Sequence, residues 1–184
     1  MGEVWEAWDS QLNRTVALKL LKGTDPDEIG RFKREAETAG RLNHPNIAAV
    51  HEVGELDGRP FIAMQHVDGA TLGEYPRNDL RLLIGLIRDA AQAIHAAHQT
   101  GIIHRDIKPA NLMVDRSPPP RVYVLEFGLA KSVNVTLSHT AVGTPSYMSP
   151  EQAMGDRAVD ARADVYSLGA TVYDLLAGRA PFSG

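Results

Sequence analysis

The chain has no cysteine among its 184 residues, so neither a disulfide framework nor a thiolate metal site is open to it. A reducing, cytoplasmic setting is compatible with that composition. No apolar run reaches the length of a membrane span, and the first residues carry no signal-peptide pattern. Positive charge is not in excess either. Lys plus Arg number 19 against 23 for Asp plus Glu, a net charge of -4, which argues against a nucleic-acid or anionic-membrane surface. There is no internal repeat, and the one biased segment, Ser117-Pro118-Pro119-Pro120, reads as a turn between strands. Apolar content, by contrast, is ample: hydrophobic residues make up 43% of the chain, enough to bury a core in one globular unit.

The densest chemistry lies in His104-Arg105-Asp106-Ile107-Lys108-Pro109-Ala110-Asn111. Ile102 and Ile103 enter this stretch and Leu112-Met113-Val114 leave it, so a short polar loop is held between buried segments. Asp106 can accept a proton from a hydroxyl, Lys108 can sit against a transferring phosphoryl group, and the Asn111 amide oxygen can hold a divalent ion. The stretch resembles the H-R-D-x-K-P-x-N catalytic loop of protein kinases, in the form seen in the serine/threonine branch of that family.

Other stretches carry the same resemblance in the same order. Gly2-x-Val4 is similar to the last glycine and valine of the G-x-G-x-x-G-x-V loop, and Val16-Ala17-Leu18-Lys19 to the V-A-I-K strand. A turn at Leu12 to Arg14 would pair the two strands, with Ala17 and Lys19 on one side of the second. Pro26 and Asp27 start a helix whose apolar stripe is Ile29, Phe32, Ala36 and Ala39, and Glu35 beside it resembles the glutamate that pairs with the strand lysine. Strands follow at Ala48 to Glu55 and Arg59 to His66 around the turn Leu56-Asp57-Gly58. By resemblance Met64 is the gatekeeper, Gln65-His66-Val67 the hinge, and Ala17, Val67 and Met113 neighbours of the adenine base.

Asp79 to Thr100 reads as a long helix closed by Gly101. His95, His98 and His104 do not form a convincing metal site, because no carboxylate sits at suitable spacing and the resemblance makes His104 a packing residue. Leu112 to Val114 and Val122 to Leu125 read as a hairpin. Glu126-Phe127-Gly128 then departs from the family's D-F-G, whose Asp binds magnesium. Glutamate keeps the charge but adds a methylene against an ion with strict octahedral demands. Leu129 to Ser149 resembles an activation loop, with Thr136, Ser138 and Thr140 as phosphorylation candidates and Arg105 as the partner of such a phosphate. Gly143 to Glu151 resembles the substrate-docking segment and A-P-E motif, with Ser149 in place of Ala and Thr144 in contact with the catalytic Asp and Lys. A mostly apolar helix is expected from Asp164 to Ala177, ended by Gly178, its first Asp tying down the catalytic-loop backbone.

The resemblance implies an α+β, two-lobed protein-kinase-like fold, incomplete at both ends. Residues 1–67 would form a β-rich N-lobe with its hinge and residues 68–184 a mainly helical C-lobe with one flank of its last helix exposed. It implies a serine/threonine protein kinase of the bacterial type that uses ATP and magnesium (Mg2+), acts on Ser/Thr hydroxyls of protein substrates, and is a candidate for autophosphorylation. Asp106 is the implied base, Lys108 steadies the phosphoryl group, Lys19 and Glu35 place the phosphates, and Asn111 with Glu126 hold the metal. The alternative is a catalytically impaired pseudokinase serving as a nucleotide-binding or scaffold module, which Glu126 and the incomplete ends favour.

Overall fold

The computed structural model describes residues 3–22, 25–127, 145–156 and 158–182, apart from the side chains of Glu28, Arg31, Glu35 and Pro145. Two strands, β1 (Glu3–Asp9) and β2 (Arg14–Leu20), pair as an antiparallel hairpin with Val4 opposite Lys19. The turn between them is built by Asp9, whose Oδ1 accepts from the Gln11 and Leu12 amides at 3.1 Å each, while Asn13 takes a left-handed φ of 52°. The strands β3 (Val50–Leu56) and β4 (Arg59–Gln65) turn on Asp57 and Gly58, both left-handed, the geometry that a two-residue hairpin loop demands. Together they form a sheet in the order β1-β2-β4-β3.

One helix, α1 (Pro26–Ala39), covers this sheet. Asp25 caps it through the Asp27 amide at 2.9 Å, and proline at its first position has no amide to waste. Its stripe is the expected one: Phe32 and Ala36 pack with Leu21, Ile62 and Met64, and Ile29 lies against them. β3 starts at Val50, not at Ala48: Ala48 is bonded out of the sheet, and only Ala49 still reaches β4, beside a register shift between Val50 and Glu52. The Ala48 amide donates to the Val124 carbonyl at 3.0 Å, and the Ala49 carbonyl accepts from the Gln65 amide at 2.8 Å. With Asn46, whose carbonyl and side chain both bond β7 (Val122–Val124), this segment ties the sheet to the helical half of the molecule.

The helical half is organised on α2 (Leu80–Gln99), capped by Asp79 through the Leu82 amide at 3.0 Å and left through Gly101 at φ 78°. Leu83, Leu86, Ala90, Ala93, Ile94 and Ala97 form its buried face, each large side chain contributing about 1.5–3 kcal/mol by leaving water. Against it lies a second sheet, β5 (Gly69–Thr71), β6 (Leu112–Asp115) and β7, in that order. The short strand β5 and the one-turn helix α3 (Pro150–Ala153) have no counterpart in the expected elements.

The last helix, α4, runs from Ala161 to Ala177 and therefore begins three residues before Asp164. Asp160 is its cap, accepting from the Arg162 amide at 2.9 Å, so Asp164 falls inside the first turn and points inward. Its buried side mixes polar and apolar residues: Asp164, Ser167 and Thr171 lie inward with Ala163, Ala170 and Leu175, while Val165 and Leu176 are exposed.

Gly69 sits where β5 meets β6, and a methyl group there would stand 1.9 Å from the Val114 carbonyl oxygen. Since that atom is backbone, relief requires the two strands to part. Gly69→Ala should cost about 3 kcal/mol, a fall in Tm of about 6–12 °C for a chain of this size. Calorimetry showing a change below about 2 °C would contradict this packing.

Candidate active site

Register places the N-terminal candidates before any side-chain contact is considered. Val4 is paired with Lys19 and Ala17 with Met64, and side chains alternate along a strand, so Val4, Ala17 and Lys19 share one face. Val4 is exposed, Met64 and Val67 are buried, and Gln65 ends β4. Met113 lies on β6 between Thr71 and Tyr123. Gly2, Gly128, Thr136, Ser138, Thr140 and Thr144 lie outside the described residues, as does the Glu35 side chain. The described partner of Lys19 is a different carboxylate: its Nζ meets Glu126 Oε1 at 2.7 Å. The side chains are only 11% and 25% exposed, so each charge depends on the other for much of its solvation.

The loop from His104 to Asn111 is fixed mainly from below, by Asp164. This carboxylate is fully buried, and its Oδ2 accepts from the His104 amide at 2.8 Å and from His98 Nε2 at 2.7 Å, while its Oδ1 accepts from the Arg105 amide at 2.7 Å. A carboxylate at the histidine cluster thus exists, contrary to the spacing argument. It comes from 60 residues downstream of His104, which local spacing cannot reveal. It serves as a hydrogen-bond hub, and among the described residues no group of three or more His, Asp or Glu side chains is arranged to hold a metal.

His104 has one tautomer consistent with its contacts. Nδ1 accepts from the Asp106 amide at 3.2 Å, so Nε2 carries the proton and donates to the Leu125 carbonyl at 2.7 Å. Burial holds its pKa below the ordinary imidazole value, outweighing the upward pull of Asp164 and of the bond to Leu125. The neutral ring also meets Phe127 edge-on at 4.8 Å. Thus the loop and the Glu126-Phe127 segment are joined through one imidazole.

Three polar groups converge above this base. Asp106 Oδ2 accepts from Lys108 Nζ at 2.9 Å and from Asn111 Nδ2 at 3.1 Å, and the same Nδ2 donates to the Asp106 carbonyl at 2.7 Å. With its NH2 so committed, Asn111 turns its amide oxygen the other way. The Leu125 amide donates to the Asn111 carbonyl at 2.9 Å, which brings Glu126 next to Asn111. A neutral amide oxygen and a carboxylate are hard oxygen donors of the kind magnesium takes, so these residues fit the metal by donor type. Glu126 itself has φ 58°, a left-handed conformation that Asp and Asn adopt far more readily than Glu.

A cavity of about 330 Å3 borders the hinge stretch, lined by Gln65 to Asp68, by Asp115 to Ser117 and by Tyr123. None of Lys19, Asp106, Asn111 and Glu126 lines it, so it is distinct from the cluster of charged groups.

Two residues hold the loop in ways that their local sequence does not reveal: His98, bonded to Asp164, and Gln152. Gln152 Nε2 donates to the Arg105 carbonyl at 2.9 Å, and its Oε1 accepts from the Ser149 amide and hydroxyl at 3.2 and 3.1 Å. The Ser149-x-x-Gln152 spacing is a helix-capping signature that sequence could have flagged, though not its reach to Arg105.

The chain is similar to known proteins along its whole length. The family model described as protein kinase domain matches residues 1–184. Serine/threonine-protein kinase PknB of Mycobacterium leprae is 45% identical over all of this chain, which covers 32% of that relative. A probable serine/threonine-protein kinase of Streptomyces coelicolor, SCO3848, is 44% identical, with 29% of its length covered. The chain thus spans about a third of the length of these curated relatives. Among solved structures, the PknI kinase domain of Mycobacterium tuberculosis aligns over 100% of this chain and 72% of its own, with TM-score 0.77 and 35% identity. A Rad53 structure in complex with AMP-PNP aligns over 100% of this chain and 46% of its own, with TM-score 0.80 and 28% identity.

The His104 contacts generate a pH dependence. The unfolded chain takes up a proton as pH falls through about 6.5, whereas the folded chain resists until a lower pH because burial depresses this pKa. The contribution is therefore complete above that value and shrinks below it, by at most about 1.4 kcal/mol per pH unit. His104→Phe should be less stable than the wild type at pH 7.5 yet lose less Tm between pH 6.5 and 5. Parallel Tm-versus-pH curves for the two proteins would refute this role.

Proposed function

The chain belongs to the protein kinase family, and we propose that it transfers the γ-phosphoryl group of ATP to Ser or Thr hydroxyls of protein substrates. The observation that carries the reading is the convergence of Asp106, Lys108 and Asn111, held on a backbone fixed by Asp164 and adjoining Glu126. Asp106 accepts the hydroxyl proton as the substrate oxygen attacks phosphorus. Lys108, already 2.9 Å from that carboxylate, carries positive charge to the same place and balances the charge of the transferring group. Lys19 contacts the phosphates from the strand above, with Glu35 as its partner from α1. Val4, Ala17, Met64, Gln65, Val67 and Met113 enclose the base, and Thr144 meets the loop from the substrate side.

Asn111, through its amide oxygen, and Glu126, through its carboxylate, would hold magnesium, which would supply charge neutralisation along the phosphates. In the closed arrangement Glu126 is instead committed to Lys19 at 2.7 Å. Arg105 Nε is buried without a partner among the described residues, which supports a phosphate on Thr136, Ser138 or Thr140 as its counterpart. The strained Glu126 and its closed ion pair with Lys19 favour a second reading, a slow or inactive kinase that binds nucleotide and serves as a scaffold.

Transfer of labelled phosphate from magnesium-ATP to a generic protein substrate and to the chain itself separates the two readings, with Asp106→Asn as the blank. Incorporation above the blank supports the kinase; none, from a folded sample, supports the scaffold. Glu126→Asp shortens the side chain, suits the left-handed backbone better and loosens the clasp on Lys19. It should raise turnover at least about tenfold, given that ~1 Å of misplacement can cost on the order of a hundredfold. Unchanged or lower turnover would contradict this account of Glu126.

A further inference from the structure

Arg105 takes a left-handed φ of 67°, a conformation that costs a residue with a side chain about 1–2 kcal/mol. Such a conformation persists only where its surroundings over-determine it, and the next residue is the one read as the base. The peptide that joins Arg105 to Asp106 is held at both of its polar ends. Its N–H donates to His104 Nδ1 at 3.2 Å, and its C=O accepts from Gln152 Nε2 at 2.9 Å. The bond to Asp164 lies one peptide earlier, on the Arg105 amide, and leaves the plane of the following peptide free to rotate.

We propose that Gln152 is a positioning residue for Asp106, its side-chain amide fixing the plane of the Arg105–Asp106 peptide and so the direction in which the Asp106 carboxylate points. This rests on reading Asp106 as the base. The amide can act in only one sense. Its oxygen faces the Ser149 N–H, which can only donate, and its nitrogen faces the Arg105 carbonyl, which can only accept. Gln152 is 8% exposed, so water competes little for either bond. Because Ser149 and Gln152 open α3, the position of that helix is transmitted to the base through two side-chain and backbone contacts, with no contact to the reacting groups.

If Gln152 merely capped α3, its oxygen would suffice. Gln152→Glu keeps that oxygen for Ser149 and sets a second oxygen against the Arg105 carbonyl, so it separates the two roles; Gln152→Met removes both bonds at similar volume. The full chain would be assayed for kcat and for KM of magnesium-ATP, and for amide hydrogen exchange over residues 102–108, with exchange in α2 as the control for folding. Both variants should lower kcat about 10–100-fold, from misplacement of the base, leave KM within about twofold, and speed exchange of the Asp106 amide at least about tenfold with α2 unchanged. Wild-type kcat and wild-type exchange in Gln152→Glu would overturn the proposal, even if Gln152→Met failed to fold. Should the wild type transfer no phosphate, the reading of Asp106 as a base falls, and the exchange comparison alone decides whether Gln152 sets the peptide.

Discussion

Asp164 is the constraint on which the rest of this site depends. Its carboxylate is wholly buried in the first turn of α4, where an unpaired charge would cost several kcal/mol. It is satisfied by donors from two distant segments, His98 on α2 and the His104 and Arg105 amides of the loop. The exchange is mutual. The loop's amides gain a partner in the absence of regular secondary structure, and the buried Asp164 gains donors for both of its oxygens. Two helices and a loop far apart in sequence are thereby locked to one another at one point.

From that point the order spreads through His104. A neutral imidazole that accepts on one nitrogen and donates on the other can join the Asp106 amide to the Leu125 carbonyl, and a protonated one cannot. The Leu125 amide in turn bonds the Asn111 carbonyl, so the proposed base, Asn111 and Phe127 are joined by one chain of contacts. Against this rigid floor Glu126 is the element under tension. It occupies a backbone conformation better suited to Asp and reaches Lys19 with the extra methylene.

The periodicity of α1 makes its buried face legible, because Ile29, Phe32 and Ala36 recur at helical spacing and pack on the sheet, whereas α2 is legible from its sequence only as a helix. The Asp57-Gly58 turn and the Gly101 terminus were readable as local demands on φ. What escaped was set by distance. Ala48 reads as strand, yet β7 takes its amide hydrogen bond. The mostly apolar sequence of α4 does not show that Asp164, Ser167 and Thr171 share its buried side with Ala163, Ala170 and Leu175. At the site, the order of the motifs named the residues, while the Lys19–Glu126 pair, the role of His98 and the reach of Gln152 needed three dimensions.

If one carboxylate sets the geometry of the catalytic loop, its neutral analogue should damage chemistry more than folding. Asp164→Asn keeps the size of the side chain and one acceptor, but turns an amide toward groups that also donate. The decisive measurement is its turnover beside its ATP affinity and its melting transition. A loss on the order of a hundredfold in kcat, with nucleotide affinity retained and a cooperative transition still present, is the expected result. A folded Asp164→Asn protein with turnover within about threefold of the wild type, where ~1 Å of misplacement should cost far more, would contradict the account.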